Sequence, residues 1–203
     1  MKIDEVMLRQ MAGPHAVGIY AAAVRLSELG YFIPVALASS ALPALLRSRE
    51  RGAGFYRERL QHFFDLNAGL AYLLAVPLWF ASGWIVRLTY GTAFAEAGPV
   101  LAVHIWACLF VFLGVARGQW LVNEGLTRFY LGATLAGAGA NVLLNLVLIP
   151  RWGPLGAAWA TLASYGLSAW LASFAHPAVR EVAGLQTRAL LLPLLGWRYF
   201  KRS

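Results

Sequence analysis

Four long stretches of this sequence contain no charged residue. They are residues 66–86, 97–116, 129–150 and 152–179, and they hold 21, 20, 22 and 28 residues. An α-helix rises about 1.5 Å per residue, so about 20 apolar residues cross a hydrocarbon layer ~30 Å thick. Each stretch is therefore long enough to cross a bilayer as a helix.

The composition also indicates that lipid surrounds much of the chain. Hydrophobic residues make up 60% of the 203 residues, whereas charged residues make up only 13%. A soluble domain carries about twice that charged fraction. Because too few polar side chains remain to cover a water-facing surface, most of the surface must face lipid. This excludes a disordered chain, and it excludes nucleic acid as a partner despite the net charge of +8.

A fifth apolar stretch, residues 17–46, carries two charges, Arg25 and Glu28. Counted from Val17, they lie about 12 and about 16 Å along a helix, which is near the middle of a bilayer. Ionisable groups at that depth face a bundle interior or a water-filled cavity, and they usually find a partner. We therefore predict that Arg25 and Glu28 are cavity residues, and both a structural and a functional ion pair remain open.

The two ends of the chain differ from the spans. Residues 1–12 are too short to cross a bilayer, and they are predicted to be the second half of a transmembrane helix whose first half is missing. Asp4, in this segment, is a possible second partner for Arg25 or a carrier of a coupling proton. Residues 180–203 are predicted to form a basic cytoplasmic tail with an interfacial segment at 189–197.

Residues 13–179 are thus expected to form one membrane bundle. Its spans are predicted at about residues 17–46, 66–86, 97–116, 129–150 and 154–176. If these spans alternate, one side holds twelve of the 17 Lys and Arg residues, Arg117 among them, and the other side holds three. The positive-inside rule places the twelve, with the carboxyl terminus, in the cytoplasm. The arginine-rich segment 47–59 lies on that side, which favours contact with lipid headgroups over nucleic acid.

Two helix faces carry small or polar residues at a spacing of four. Gly137, Asn141 and Asn145 share one face, and asparagine in hydrocarbon needs a partner. Hydrogen bonding to another helix and lining of a polar translocation path are the two interpretations. The second face predicts close helix packing, and it comprises Gly156, Ala160, Ser164, Ser168 and Ala172.

No motif predicts a metal or a cofactor. The single cysteine, Cys108, lies in an apolar run and is interpreted as a small core residue. His104 is the histidine that lies well inside a span, and we interpret it as a hydrogen-bonded core residue. We therefore expect no cofactor and no enzymatic activity.

Several segments resemble a known family. They are IDEVML at 3–8, the stretch 17–46, LTYGTAFAEAGPVL at 88–101 and ANVLLNLVLIPRWGPLGAAWATLASY at 140–165. They resemble bacterial polysaccharide-export flippases of the multidrug/oligosaccharidyl-lipid/polysaccharide (MOP) exporter superfamily. The resemblance implies an all-α polytopic membrane protein with two six-helix lobes around a cavity that opens alternately to each side. This chain looks like the second lobe, with about five full transmembrane helices and a truncated first helix.

The resemblance also implies a function. Such flippases move a lipid-linked oligosaccharide from the cytoplasmic to the outer leaflet of the bacterial inner membrane, as in O-antigen and lipopolysaccharide synthesis. Arg25 would contact the pyrophosphate, and Asp4 and Glu28 would orient it or exchange protons, with Asn141 and Asn145 as further cavity candidates. The implied partners are membrane lipid, the lipid-linked glycan and a missing N-terminal lobe, encoded by the same gene or a separate chain.

Other interpretations remain open. They are export of drugs or cations by the same superfamily, a non-functional fragment of a longer flippase, and, more remotely, a polytopic glycan polymerase or ligase. A polymerase or ligase would need exposed catalytic groups on a sizeable loop. The outer-side connections of this chain are predicted to be short and to carry little beyond Glu96 and Arg151.

Overall fold

The computed structural model describes residues 2–195, and within that range it is helical with no strand. The expected all-α class is confirmed. The main helices are α1 (Lys2–Met11), α2 (Gly13–Glu28), α3 (Phe32–Arg47), α4 (Ala53–Tyr90), α5 (Ala97–His104), α6 (Ala107–Asn123), α7 (Thr127–Ala169), α8 (Arg180–Leu190) and α9 (Leu192–Leu195). Short 3-10 helices cover Ser48–Arg51, Thr92–Phe94, Leu171–Phe174 and Pro177–Val179.

Four helical stretches in the described part are long and apolar enough to cross a membrane. They are Gly13–Arg51, Ala53–Tyr90, Ala97–Asn123 and Thr127–Phe174. The last stretch contains two of the five predicted spans, because α7 folds back on itself. Gly153 has φ 54° and ψ −130°, a non-helical conformation that divides α7 into a first arm at residues 127–152 and a second arm at 154–169.

The two arms of α7 pack against each other in antiparallel fashion. Gly137 faces Ser168, Asn141 hydrogen-bonds to Ser164, and Gly156 contacts the backbone of Leu148. Residue numbers therefore rise along one arm as those of their partners fall along the other. A Cβ atom at Gly137 would lie 2.5 Å from the Cβ of Ser168. The predicted close packing of small residues is confirmed here. The second arm ends at Ala169, so the face of small residues stops before Ala172.

The first predicted span is not one continuous helix. A tightened turn at residues 29–31 separates α2 from α3. Pro34 has no N–H to donate to the carbonyl of Gly30, so the amide of Ile33 donates to that carbonyl instead, at 3.0 Å. The loss of one helical hydrogen bond bends the chain at this point.

Small side chains fill much of the interior, and large apolar side chains lie on the outside. One buried cluster lies among α1, α2, α5 and α7, and it contains Leu8, Ile19 and Leu101. A second cluster joins α3, α4, α6 and α8 around Phe64 and Leu113. Large exposed apolar side chains stand on α4 and α7, as expected for surfaces in contact with lipid: Leu73, Phe80, Trp84, Leu88, Leu131, Leu135 and Leu143.

The carboxyl-terminal segment begins inside the bundle. Helix α8 packs against α4 and buries Val182, Leu185 and Ala189, so residues 180–190 form part of the helical bundle. Leu192–Leu195 forms a short helix after it. The rest of the predicted tail and interfacial segment, residues 196–203, lies outside the described residues.

Candidate functional site

A buried polar cluster lies where α1, α2 and both arms of α7 meet. It consists of Asp4, Tyr20, Asn141, Asn145 and Thr161, and each of these side chains is at most 1% exposed. The helices α1, α2 and α7 pack against one another around it. The sequence identified Asp4, Asn141 and Asn145 as candidates, and the structure brings these three together.

Asp4 lies at the centre of the cluster. Its Oδ1 accepts a hydrogen bond from Nδ2 of Asn145 at 2.7 Å, and its Oδ2 accepts one from the Tyr20 hydroxyl at 3.3 Å. The Thr161 hydroxyl lies 3.1 Å from the Tyr20 hydroxyl and 3.5 Å from Oδ2 of Asp4. Burying a carboxylate is costly unless donors replace its water, and these groups replace it.

Asn141 and Asn145 extend the network toward the second arm of α7. Asn145 also donates to Oδ1 of Asn141 at 3.1 Å, and Asn141 donates to the hydroxyl of Ser164 at 3.5 Å. Hydrogen bonding between helices, one of the two interpretations of this asparagine face, is therefore present. The Oδ1 atom of Asn145 is buried and accepts no hydrogen bond within the described part of the chain.

Local helix geometry explains why these side chains meet. Asp4, Met7 and Leu8 form the buried face of α1, at the spacing of three and four that one helical face requires. Asn141 and Asn145 follow the same rule on the first arm of α7. The turn at Gly153 then brings Thr161 and Ser164 back beside them.

Arg25 and Glu28 lie apart from this cluster. Both are exposed on α2, and within residues 2–195 they form no ion pair with each other. Arg25 follows Tyr20 by five residues, which turns its side chain about 140° around the helix axis from Tyr20. The pairing of Asp4 with Arg25 that the sequence left open is therefore not formed, because Asp4 faces Tyr20 instead.

Two members of the cluster, Tyr20 and Thr161, are not recognisable from the sequence. Tyr20 and Thr161 carry hydroxyl groups, which are common in membrane helices and give no charge signal. The spacing of Thr161 three residues before Ser164 was the one available indication. His104 was interpreted correctly, since its Nδ1 lies 2.7 Å from the buried Ser27 hydroxyl and its ring packs edge-on against Tyr20.

Arg117 also differs from expectation. The sequence placed it in a cytoplasmic loop, which was wrong, because it lies inside α6 and is 2% exposed. Its guanidinium group donates to the Ser168 carbonyl at 2.7 Å and to the Ser173 hydroxyl at 2.8 Å. Ser168 lies at the carboxyl end of α7, where a helix favours a cation, and Ser173 lies in the 3-10 helix that follows. The side chain therefore joins α6 to the end of α7.

In the described residues, no group of three or more His, Cys, Asp or Glu side chains is placed to hold a metal ion. The buried cluster offers one carboxylate, two hydroxyls and two amides. Groups of this kind are rare inside membrane bundles, where they are usually paired with one another, as they are here.

These features define a multi-pass helical membrane protein with polar groups held inside its bundle. Residues 1–147 match the MatE family, so the chain belongs to that family, within the MOP exporter superfamily. Members of the family are membrane transporters.

Curated relatives support this assignment. The chain is 29% identical to the "Probable flippase AglR" of Haloferax volcanii over 86% of the chain and 37% of that protein. It is 31% identical to the "Probable multidrug resistance protein NorM" of Burkholderia mallei, over 83% of the chain and 38% of that protein. The "Uncharacterized membrane protein YabM" of Bacillus subtilis is 27% identical over 88% of the chain and 33% of that protein. The chain thus spans 33–38% of the length of these relatives, and no solved structure matches it.

Proposed function

We propose that this chain is part of a flippase that moves a lipid-linked oligosaccharide from the cytoplasmic to the outer leaflet by alternating access. The similarity to the probable flippase supports the transport class, since it extends over 86% of the chain. The proposal for the substrate depends on the placement of one pair of charges, Arg25 and Glu28.

Both charges are exposed near the middle of an apolar helical stretch. Arg25 lies twelve residues after Gly13, or about 18 Å along α2. The large apolar side chains exposed on α4 and α7 suit lipid, but a charge at mid-depth does not. We infer that this face of α2 lines a water-filled cavity that a second lobe closes. This exposed pair is the observation that carries the proposal.

In this arrangement Arg25 binds the pyrophosphate of the lipid carrier. A guanidinium group offers a planar fork of donors that matches phosphate oxygens. Glu28, one turn further along α2, orients that fork or exchanges a proton with the cavity. Asp4 holds a charge or a proton on the other side of α2, and the protonation state of its carboxyl group sets how α1, α2 and α7 pack.

The proposal includes a partner and an orientation. A further lobe, on the same polypeptide or a separate one, completes the cavity together with membrane lipid. Residues 47–59 face the cytoplasm in this orientation, as does the carboxyl terminus, and the membrane is the bacterial inner membrane.

The test uses the complete transporter that contains this chain, reconstituted in proteoliposomes with a lipid-linked oligosaccharide. Arg25→Ala is expected to lower the flipping rate by about tenfold or more, because a charge-assisted phosphate contact is lost. Arg25→Lys keeps the charge and is expected to retain part of the activity. Arg9→Ala removes an exposed arginine near the end of α1 and serves as the control. Normal flipping by Arg25→Ala would remove the pyrophosphate role.

Multidrug export is the second candidate, because the chain is also 31% identical to a probable multidrug resistance protein. This function predicts that cells expressing the complete protein gain resistance to cationic dyes without a change in surface glycan. The flippase function predicts the reverse, a change in surface glycan without resistance. Measuring both in one strain separates the two.

A further inference from the structure

A cavity of about 550 Å³ lies between the end of α3 and the beginning of α4. The 3-10 helix Ser48–Arg51 and the turn at Gly52 connect the two helices beside it. Its inner half is apolar and is lined by Ala41, Ala44, Leu45, Phe63 and Leu66. This half begins where the charge-free stretch 66–86 begins, so it lies at the edge of the hydrocarbon layer.

The outer half of the cavity is basic. Arg47, Arg51 and Arg59 line it, together with His62 and one carboxylate, Glu50. Three permanent positive charges thus oppose one negative charge. A basic pocket between membrane helices at the headgroup level is suited to an anionic headgroup.

Two neighbouring arginines differ from these three in their contacts. Arg49 forms an ion pair with Glu124, and Arg57 forms one with Glu181 at 3.0 Å, so both are held by other parts of the bundle. Arg47, Arg51 and Arg59 form no ion pair with any described residue. The same short segment therefore contains arginines that are paired with carboxylates elsewhere in the bundle and arginines that line the cavity.

Phe55 holds two of the cavity arginines in place. The guanidinium carbon of Arg59 lies 5.1 Å from the centre of the Phe55 ring, and that of Arg51 lies 5.5 Å from it. Contact with the ring face orders a guanidinium group and leaves its edge donors available. Two ordered guanidinium groups beside an open cavity are suited to binding phosphate oxygens.

We propose that this cavity binds an anionic phospholipid of the surrounding bilayer. The phosphate group contacts Arg47, Arg51 and Arg59, and an acyl chain passes along the apolar half beside Leu66, which is 49% exposed. The apolar half distinguishes a lipid from free phosphate, since inorganic phosphate gains nothing from it. This site is separate from the exposed pair on α2 and does not depend on the transported substrate.

The experiment is native mass spectrometry of the purified protein in detergent, titrated with phosphatidylglycerol, phosphatidylcholine or inorganic phosphate. The protein is expected to bind phosphatidylglycerol about tenfold more tightly than phosphatidylcholine. The double variant Arg51→Gln/Arg59→Gln is expected to lose most of that preference. Arg51→Lys/Arg59→Lys keeps the charges and is expected to retain part of it.

The matched control is Arg128→Gln/Arg188→Gln, which removes the same charge from two exposed arginines outside the cavity. It is expected to bind phosphatidylglycerol like the parent protein. A second variant, Ala44→Trp, fills the apolar half without changing charge and is expected to weaken lipid binding, which keeps the test valid if the double variant fails to fold. Unchanged binding by the Arg51/Arg59 double variant, an equal loss in the control, or competition by inorganic phosphate at the lipid's concentration would overturn the proposal.

Discussion

A single carboxylate, Asp4, joins side chains from three helices in the apolar interior. Its partner Tyr20 comes from the next helix, α2, and its partner Asn145 comes from α7, which lies far from α1 in the sequence. In a membrane bundle, apolar side chains gain little from leaving lipid, so hydrogen bonds and close packing hold helices together. Asp4 is therefore expected to stabilise the bundle as well as to hold a charge.

Replacing Asp4 tests this structural role. Asp4→Ala leaves donors of Asn145 and Tyr20 buried without their acceptor, and the free energy of unfolding is expected to fall by about 1–3 kcal/mol. Asp4→Asn keeps one acceptor oxygen and is expected to lose less. Unfolding in mixed lipid and dodecyl sulfate micelles measures the change.

The adjacent Glu5 provides the control, because it lies on the same helix but is not buried. Glu5→Ala is expected to change the free energy of unfolding by less than about 0.5 kcal/mol. Equal losses in the Asp4 and Glu5 variants would show that the buried network contributes nothing specific.

Single residues were predictable where their chemistry contrasts with their surroundings. Asp4, Asn141 and Asn145 stand out because charged and amide groups are rare in apolar helices. Tyr20 and Thr161 do not stand out, and their role depends on which helices are neighbours. Arg117 was misplaced because it lies at the end of a charge-free run, where a loop and a buried helix look the same in sequence.

At the level of elements, charge patterns mark the hydrocarbon boundary better than they mark helix ends. The second predicted span covered residues 66–86, whereas α4 extends over Ala53–Tyr90. The helix continues through charged residues because Arg57 and Glu58 favour helices and face water there. The fold of α7 into two arms was predictable from the Pro and Gly residues at 150–154, which end one helix and begin another.

The contact between the two arms of α7 gives a prediction with an internal control. A methyl group at Gly137 would collide with Ser168, so Gly137→Ala is expected to separate the arms and to lower the free energy of unfolding by about 1–3 kcal/mol. Gly139 lies on the same arm, and a Cβ there meets nothing within 4 Å. Gly139→Ala is expected to be neutral or slightly stabilising. The same micelle unfolding assay compares the two, and equal losses would contradict the packing.

At the scale of the whole molecule, the predicted orientation can be mapped with single cysteines. In a Cys108→Ala background, Thr92→Cys lies in the connection between α4 and α5, and Asn123→Cys lies at the end of α6. An impermeant maleimide is expected to label Thr92→Cys in intact cells. Asn123→Cys is expected to react only after the membrane is permeabilised, because the positive-inside rule places it in the cytoplasm. The reverse pattern would contradict this orientation.

Helix α4 has a mechanical consequence for the whole molecule. It contains 38 residues and is about 57 Å long, almost twice the thickness of the hydrocarbon layer. Residues 53–65 therefore form a rigid rod that projects about 20 Å beyond the charge-free stretch. The rod is tied to α8 by the ion pair between Arg57 and Glu181. By this geometry, a change of about 10° in the tilt of α4 within the bilayer would move the tip of this rod sideways by about 3–4 Å at the aqueous face.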